Sequence, residues 1–421
     1  MNIKNIMIGF KRILLLTVLW LSTQNSFGQT VAIPELMKNY PFVKEKVNVI
    51  SNSGHLAGLM EKLYDLKKNG KRTINILHIG DSHLQADFIT SVIRTTLQSD
   101  FGNGGRGLIV PFRVAKTNEP FNYLSSSSDH WQSKRCVFPD QPLPIGIGGL
   151  TISTEDSCAG FAIKTFDDTL LNYSFNNVKV FYENDSISYN FALLDSLGGM
   201  AGKFLPDSVD RFSYISTISL PALTNSVTIK MVKTSELQSR AIIYGLLLEN
   251  GNPGIIYHTV GVNGAEFQHY SEALHFSEQT KALKPDLIII SLGTNEAFAL
   301  SFKQDKFYAD MQLLYSQLKN ENPNAAFLFT LPACSYRRKK PNPRLVLAGK
   351  TIIRFTTDNN ISYWDLQGAT GGDNSAINWK KNHLLRPDGV HFSRAGYDLQ
   401  GSLFCKAFLN SYNNYVANRP E

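Results

Sequence analysis

The sequence predicts an α/β domain interrupted by a long all-β segment. Short apolar runs followed by helix-spaced segments occur near residues 55–98 and again after about 255. Between about 105 and 250 there is no convincing amphipathic helix, only short β-type runs separated by turn residues. The chain has 421 residues, 43% hydrophobic and 18% charged, which exceeds one ordinary domain and suits a globular protein with a large core.

The elements follow in order. Leu56, Leu59, Met60, Leu63 and Leu66 recur at helical spacing over 55–70. Asn75-Ile76-Leu77-His78-Ile79 is a β-rich run ending in a Gly-Asp-Ser turn, and residues 84–98 return to helical spacing. Ser82 thus sits at the carboxyl end of a strand, where open α/β sheets place their sites. The β-type runs then lie at 161–164, 177–182, 188–191, 212–215, 226–231 and 241–248. They predict an inserted sandwich or barrel over 105–250. Gly-rich stretches at 102–107 and 251–254 border it. After it, strands are expected at 255–260, 286–291, 325–330 and 361–364. Helices are expected at 268–283, 304–319, 344–358 and, capped by Ser393, to about 409. The α/β domain is therefore discontinuous, 29–104 and 251–421.

The first residues read differently. Lys4, Lys11 and Arg12 precede the apolar run 13–21, and small or polar residues lead to Ser26-Phe27-Gly28. Residues 1–28 are expected to be a secretory signal peptide, the run being short for a membrane span of about 20 residues. Export to a periplasmic or extracellular location follows. Without that segment the formal charge falls from +7 to +4. This mild basicity suits an acidic cell-wall polymer and is no nucleic-acid footprint. In an exported protein Cys136 and Cys158 are candidates to pair, with Cys334 and Cys405 either paired or buried as thiols. No cysteine or histidine spacing suggests a metal site.

The chemistry lies in motifs far apart in the chain. Gly80-Asp81-Ser82-His83 offers a hydroxyl at a strand tip, and Asp388-Gly389-Val390-His391 offers a carboxylate and an imidazole three residues apart. A serine needs a base to take its proton, and the base needs an acceptor that fixes its tautomer. Asp81 is expected to cap the loop. Alone, each motif reads as structural: Ser82 as a helix N-cap, Asn295 as a turn former, Gly264 as a loop glycine.

Four blocks in the right order resemble the SGNH hydrolases, also called GDSL-like esterases. Gly80-Asp81-Ser82-His83 is similar to the nucleophile block. Val262-Asn263-Gly264-Ala265 and Gly293-Thr294-Asn295-Glu296 are similar to the two oxyanion blocks, and Asp388-Gly389-Val390-His391 to the acid–base block. The resemblance implies a flavodoxin-like α/β/α fold, a catalytic triad of Ser82, Asp388 and His391, and an oxyanion hole from Ser82, Gly264 and Asn295. It implies no cofactor. His83 stands where the family usually has leucine. That departure, with the β insert between the first two blocks, resembles bacterial peptidoglycan O-acetylesterases with a carbohydrate-module-like insert.

The expected function is a secreted serine esterase removing O-acetyl groups from a polysaccharide, peptidoglycan first among substrates, through an acyl-serine. Acetyl transfer, deacetylation of xylan or another glycan, and non-catalytic glycan binding stay open as alternatives. The partner in each case is an acetylated glycan. His83 is expected to be held by hydrogen bonds within its loop, and His258 to be structural. His383 lies close to Asp388 with no role assigned. The run 337–340 reads either as an attractor of anionic glycan or as a solvated loop. Trp364 and Trp379 read as core residues before sugar platforms.

Overall fold

The computed structural model describes residues 30–32, 40–138, 144–168, 170–195, 198–204 and 214–419. The signal-like segment 1–28 lies outside them, as do residues 212 and 213 of one expected strand. Among the described residues no helix is long and apolar enough to cross a membrane.

The central sheet contains β1 (Ile50–Ser51), β2 (Thr73–Gly80), β3 (Gly254–Gly261), β4 (Leu287–Ser291), β5 (Ala326–Thr330) and β6 (Ser362–Trp364). Their order is β1-β6-β5-β4-β2-β3, all parallel except β1 against β6. The five parallel strands have the flavodoxin-like order, in which the first strand lies between the second and third. The apolar runs split by period two. Ile74 and Ile76 of β2 enter one core, and Leu77 and Ile79 enter the other. Helices α1 (Ala57–Asn69), α2 (Phe88–Phe101) and α5 (Arg394–Asn418) cover the first face, and α3 (Gln304–Glu321) and α4 (Pro343–Asp358) the second. This is the three-layer fold expected.

The inserted segment is a β-sandwich. One antiparallel sheet joins Met200–Phe204, Asn190–Leu194, Ser226–Val232, Gly160–Thr165 and Tyr123–Ser126 in that order. The other is built on Phe175–Tyr182 and Ala241–Glu249, flanked by Ile215–Thr224, Leu150–Thr154, Gln132–Arg135 and Gly107–Ile109. Phe161, Ile163, Val227 and Ile229 of one sheet meet Val178, Val180, Ile243 and Leu246 of the other in a third core. The chain leaves the α/β part and returns to it at one place. A Cβ on Gly254 would stand 2.4 Å from the Gly102 backbone, and its φ of +143° also requires glycine.

Two expectations are corrected. The helix over 268–283 is broken into Phe267–Ser271, Phe276–Thr280 and a 3-10 turn, because the His275 N–H donates to Ile145 O of the insert at 2.9 Å. Cys136 and Cys158 form no disulfide: Cys136 is buried and Cys158 is exposed in a turn. Cys334 and Cys405 are buried thiols.

Candidate active site

Ser82 lies one residue beyond the end of β2, at the carboxyl end of the sheet and beside the point where β3 and β4 flank β2 on opposite sides. The sharp exit from the strand is capped by Asp81, whose carboxylate accepts the His83 N–H at 3.0 Å. Ser82 then opens a single helical turn to Gln85.

The loop before α5 brings the other two residues. Asp388 Oδ1 accepts the N–H groups of Val390 and His391, each at 2.8 Å. Its other oxygen therefore faces the imidazole, with His391 Nδ1 at 3.1 Å from Asp388 Oδ2. A carboxylate can only accept, so Nδ1 carries the proton and Nε2 presents its lone pair. That nitrogen lies 2.9 Å from Ser82 Oγ. Partial burial raises the Asp388 carboxyl, but the two N–H donors and the imidazole outweigh it and hold it below its usual range. The pair is open to solvent, His391 at 36% and Asp388 at 48% side-chain exposure.

Gly264 lies in the turn after β3 with φ +83°, and no atom lies within 4 Å of where a Cβ would stand. Asn295 is the second residue of the short helix Thr294–Phe298 after β4. Its Nδ2 donates to Ala265 O at 2.9 Å and, at 3.4 Å, to Asp81 Oδ2, which ties the Gly264 turn, the Asn295 helix and the Ser82 turn together. Ser82, Gly264, Asn295, Asp388 and His391 thus come from four separated segments to one end of the sheet.

Several residues with no sequence signal hold this arrangement. Gln85 is buried; its Oε1 accepts the Asn263 N–H at 2.7 Å, and its Nε2 donates to Asn118 O at 2.8 Å and Thr117 Oγ1 at 3.0 Å. It therefore links the insert to the residue before Gly264. Asp87 is held by Arg94 at 2.7 Å and Arg106 at 2.9 Å, all three buried, and by Asn122 at 2.5 Å. Burial raises its carboxyl, but the two guanidinium charges outweigh that and drive it far below the usual range. Arg106 and Asn122 belong to the insert, so a buried charge network joins the two parts. Glu296 accepts the Phe267 N–H through Oε1 at 2.9 Å, while its Oε2 is buried with no partner. Burial pushes its carboxyl up to about 8.

The remaining candidates separate clearly. The His83 ring bonds Tyr397 on α5 through Nδ1 at 3.0 Å, not a partner in its own loop, and stands 5.4 Å from the His391 ring centre. Its Nε2 is buried without a partner, and burial lowers its pKa. His258 is buried in β3 near Asn75, and burial lowers its pKa to about 3. His383 is exposed in a turn. Trp364 and Trp379 are core residues; the Trp364 indole donates to Asn48 Oδ1 at 2.9 Å. Among the described residues no group of three His, Cys, Asp or Glu side chains is arranged to hold a metal ion. A cavity of about 570 Å³ opens at the other end of β2, beside Thr73, Asn75 and Lys179.

Residues 235–399 match the model of the GDSL-like lipase/acylhydrolase family. A solved peptidoglycan O-acetylesterase superposes with a TM-score of 0.70 at 21% identity, covering 89% of this chain and 98% of that one. That likeness extends the shared fold across the insert as well as the α/β part. A lipase/acylhydrolase from Enterococcus faecalis matches at 18% identity with a TM-score of 0.30, over 37% of this chain and 77% of that one. A family two carbohydrate esterase from Cellvibrio japonicus matches at 10% identity with a TM-score of 0.29, over 70% of this chain and 99% of that one. No curated protein matches the chain.

Proposed function

We propose that this chain is an exported serine O-acetylesterase acting on a polysaccharide, peptidoglycan first, a reading supported by the GDSL-like lipase/acylhydrolase match over residues 235–399. The observation that carries the reading is the unbroken hydrogen-bond line Asp388–His391–Ser82, at 3.1 and 2.9 Å.

In this mechanism His391 Nε2 takes the Ser82 proton as Oγ attacks the acetyl carbonyl. Asp388 stabilises the imidazolium that results. The N–H groups of Ser82 and Gly264 receive the oxyanion, joined by the Asn295 amide as it gives up its long 3.4 Å bond to Asp81. Each such donor typically contributes about 2.7–4 kcal/mol in the transition state. The imidazolium then protonates the departing sugar oxygen, leaving acetyl-Ser82. Water, deprotonated by the same nitrogen, releases acetate and frees the serine. The solvent exposure of His391 and Asp388 favours water over a sugar acceptor in that second step. The purified protein should release acetate from O-acetylated peptidoglycan faster than from acetylated xylan. Failure on both polymers would refute the proposal.

A further inference from the structure

The rim of the site carries charge that the acyl transfer does not use. From Asn322 to Thr357 the sequence holds seven Lys or Arg and no Asp or Glu, and from Asn374 to Pro387 it holds three and none. The fold sets these two segments side by side. Tyr336–Arg337 and Lys340–Pro341 form a two-stranded hairpin. The Tyr336 N–H donates to Gly389 O at 2.6 Å, in the loop between Asp388 and His391. Lys380 Nζ lies 4.8 Å from the Tyr336 ring centre. On the other side, Arg337 donates to Phe298 O at 3.3 Å and Ala299 O at 3.4 Å, where the helix carrying Asn295 ends. The hairpin therefore spans the rim from the Asn295 helix to the His391 loop.

Two further observations set this strip apart from an ordinary solvated loop. None of the ion pairs among the described residues uses Arg337, Arg338, Lys339, Lys340, Lys380 or Arg386. The tip residues Arg338 and Lys339 also hold φ of +52° and +62°. A two-residue hairpin of this kind wants left-handed backbone at both positions, which Asn-Gly supplies and two long cations do not. The tip is thus strained and surrounded by like charge, and an anion seated on it relieves the repulsion.

The geometry points to a docking strip for a carboxylate-bearing polysaccharide, formed by Arg337–Lys340 with Lys380 and Arg386, that holds acidic groups of the substrate while its acetyl ester lies at Ser82. The inference rests on the esterase reading for the reaction, and adds the charge of the substrate: an acidic glycan over a neutral one such as xylan.

The test uses R338N/K339G, which puts the favoured residues at the turn and removes two charges. In the Ser82→Ala protein, co-sedimentation with insoluble peptidoglycan is compared with co-sedimentation with acetylated xylan. Peptidoglycan should bind at least about tenfold more tightly, and less so as salt rises from about 50 to about 300 mM. The turn variant should lose about tenfold of that binding. Peptidoglycan stripped of its peptides distinguishes carboxylates of the glycan from those of the peptides. Equal binding of both polymers, or a turn variant that binds as well as its parent, overturns the strip. In protein with Ser82 intact, acetate release from O-acetylated peptidoglycan is measured as a ratio to hydrolysis of a small neutral acetyl ester by the same variant; R338N/K339G should lower that ratio about tenfold. Charge-dependent binding without acetate release would sink the esterase reading and leave the strip standing.

Discussion

Replacing Glu296 by glutamine should flatten the fall in stability of this protein at alkaline pH. The carboxyl titrates at 4.5 in the open chain and at about 8 in the fold, because burial penalises its charged form. Its folded-state pKa is raised, so the native protein holds a proton there that the unfolded chain has lost. Stability from this group is therefore complete below 4.5 and declines as pH rises to about 8. At roughly 1.4 kcal/mol per pH unit, the decline amounts to as much as roughly 5 kcal/mol. That is a large share of the roughly 5–15 kcal/mol that stabilises most folded proteins. Glutamine keeps the acceptor used by the Phe267 N–H, now at 2.9 Å, and carries no charge at any pH. Denaturant unfolding of both proteins at about pH 5 and about pH 8.5 isolates the effect. The two should be closest at the lower pH, and the variant should be the more stable by several kcal/mol at the higher. If both lose stability in parallel over that interval, Glu296 is already ionised in the fold and the reasoning fails.

Ser82→Ala should abolish acetate release from an activated acetyl ester and leave the circular dichroism spectrum unchanged; retention of most of the activity would remove Ser82 from the nucleophile role. Asp388→Asn should lower kcat by roughly 10²–10⁴-fold, because an amide can present an N–H to Nδ1 and stabilise the wrong tautomer; a loss under about threefold would show that Asp388 does not orient His391. Asp87→Asn should cost about 3–5 kcal/mol in denaturant unfolding, since it removes the carboxylate that pairs with both buried guanidinium groups, Arg94 and Arg106. Gln85→Ala should leave the Asn263 N–H without its acceptor, lowering kcat more than it changes KM, by roughly 5- to 100-fold from a lost buried hydrogen bond.

Much of the α/β part was legible because parallel strands buried on both faces read as unbroken apolar runs, as at Leu287–Ser291 and Ala326–Thr330. The helix expected over 268–283 failed where the insert intervenes, at the bond from the His275 N–H to Ile145 O. No local pattern encodes that contact. Strands such as Gln132–Arg135 escaped notice because a mostly polar edge strand has no apolar run to read. The candidate site showed a similar division. Ser82, Gly264, Asn295, Asp388 and His391 stood out through motif order, and the fold brings them together. Gln85, Asp87, Arg106 and Asn118 did not, since each works through partners distant in sequence. His83 was visible, but its partner Tyr397 lies on the last helix.

The touching backbones at Gly102 and Gly254 also govern how the chain can fold. β2 pairs along its whole length with β3, Thr73 opposite Gly254 and Gly80 opposite Gly261. During synthesis the strand leading to Ser82 must wait, both edges unpaired, until the entire sandwich has been made. Such non-local pairing is slow, and bare strand edges invite aggregation. The sandwich has its ends together and its own core, so it can fold first and deliver β3 to β2. In a nascent chain the insert then serves as a timer for the sheet, and destabilising it should lower the yield of active protein before it lowers the activity of the molecules that do fold.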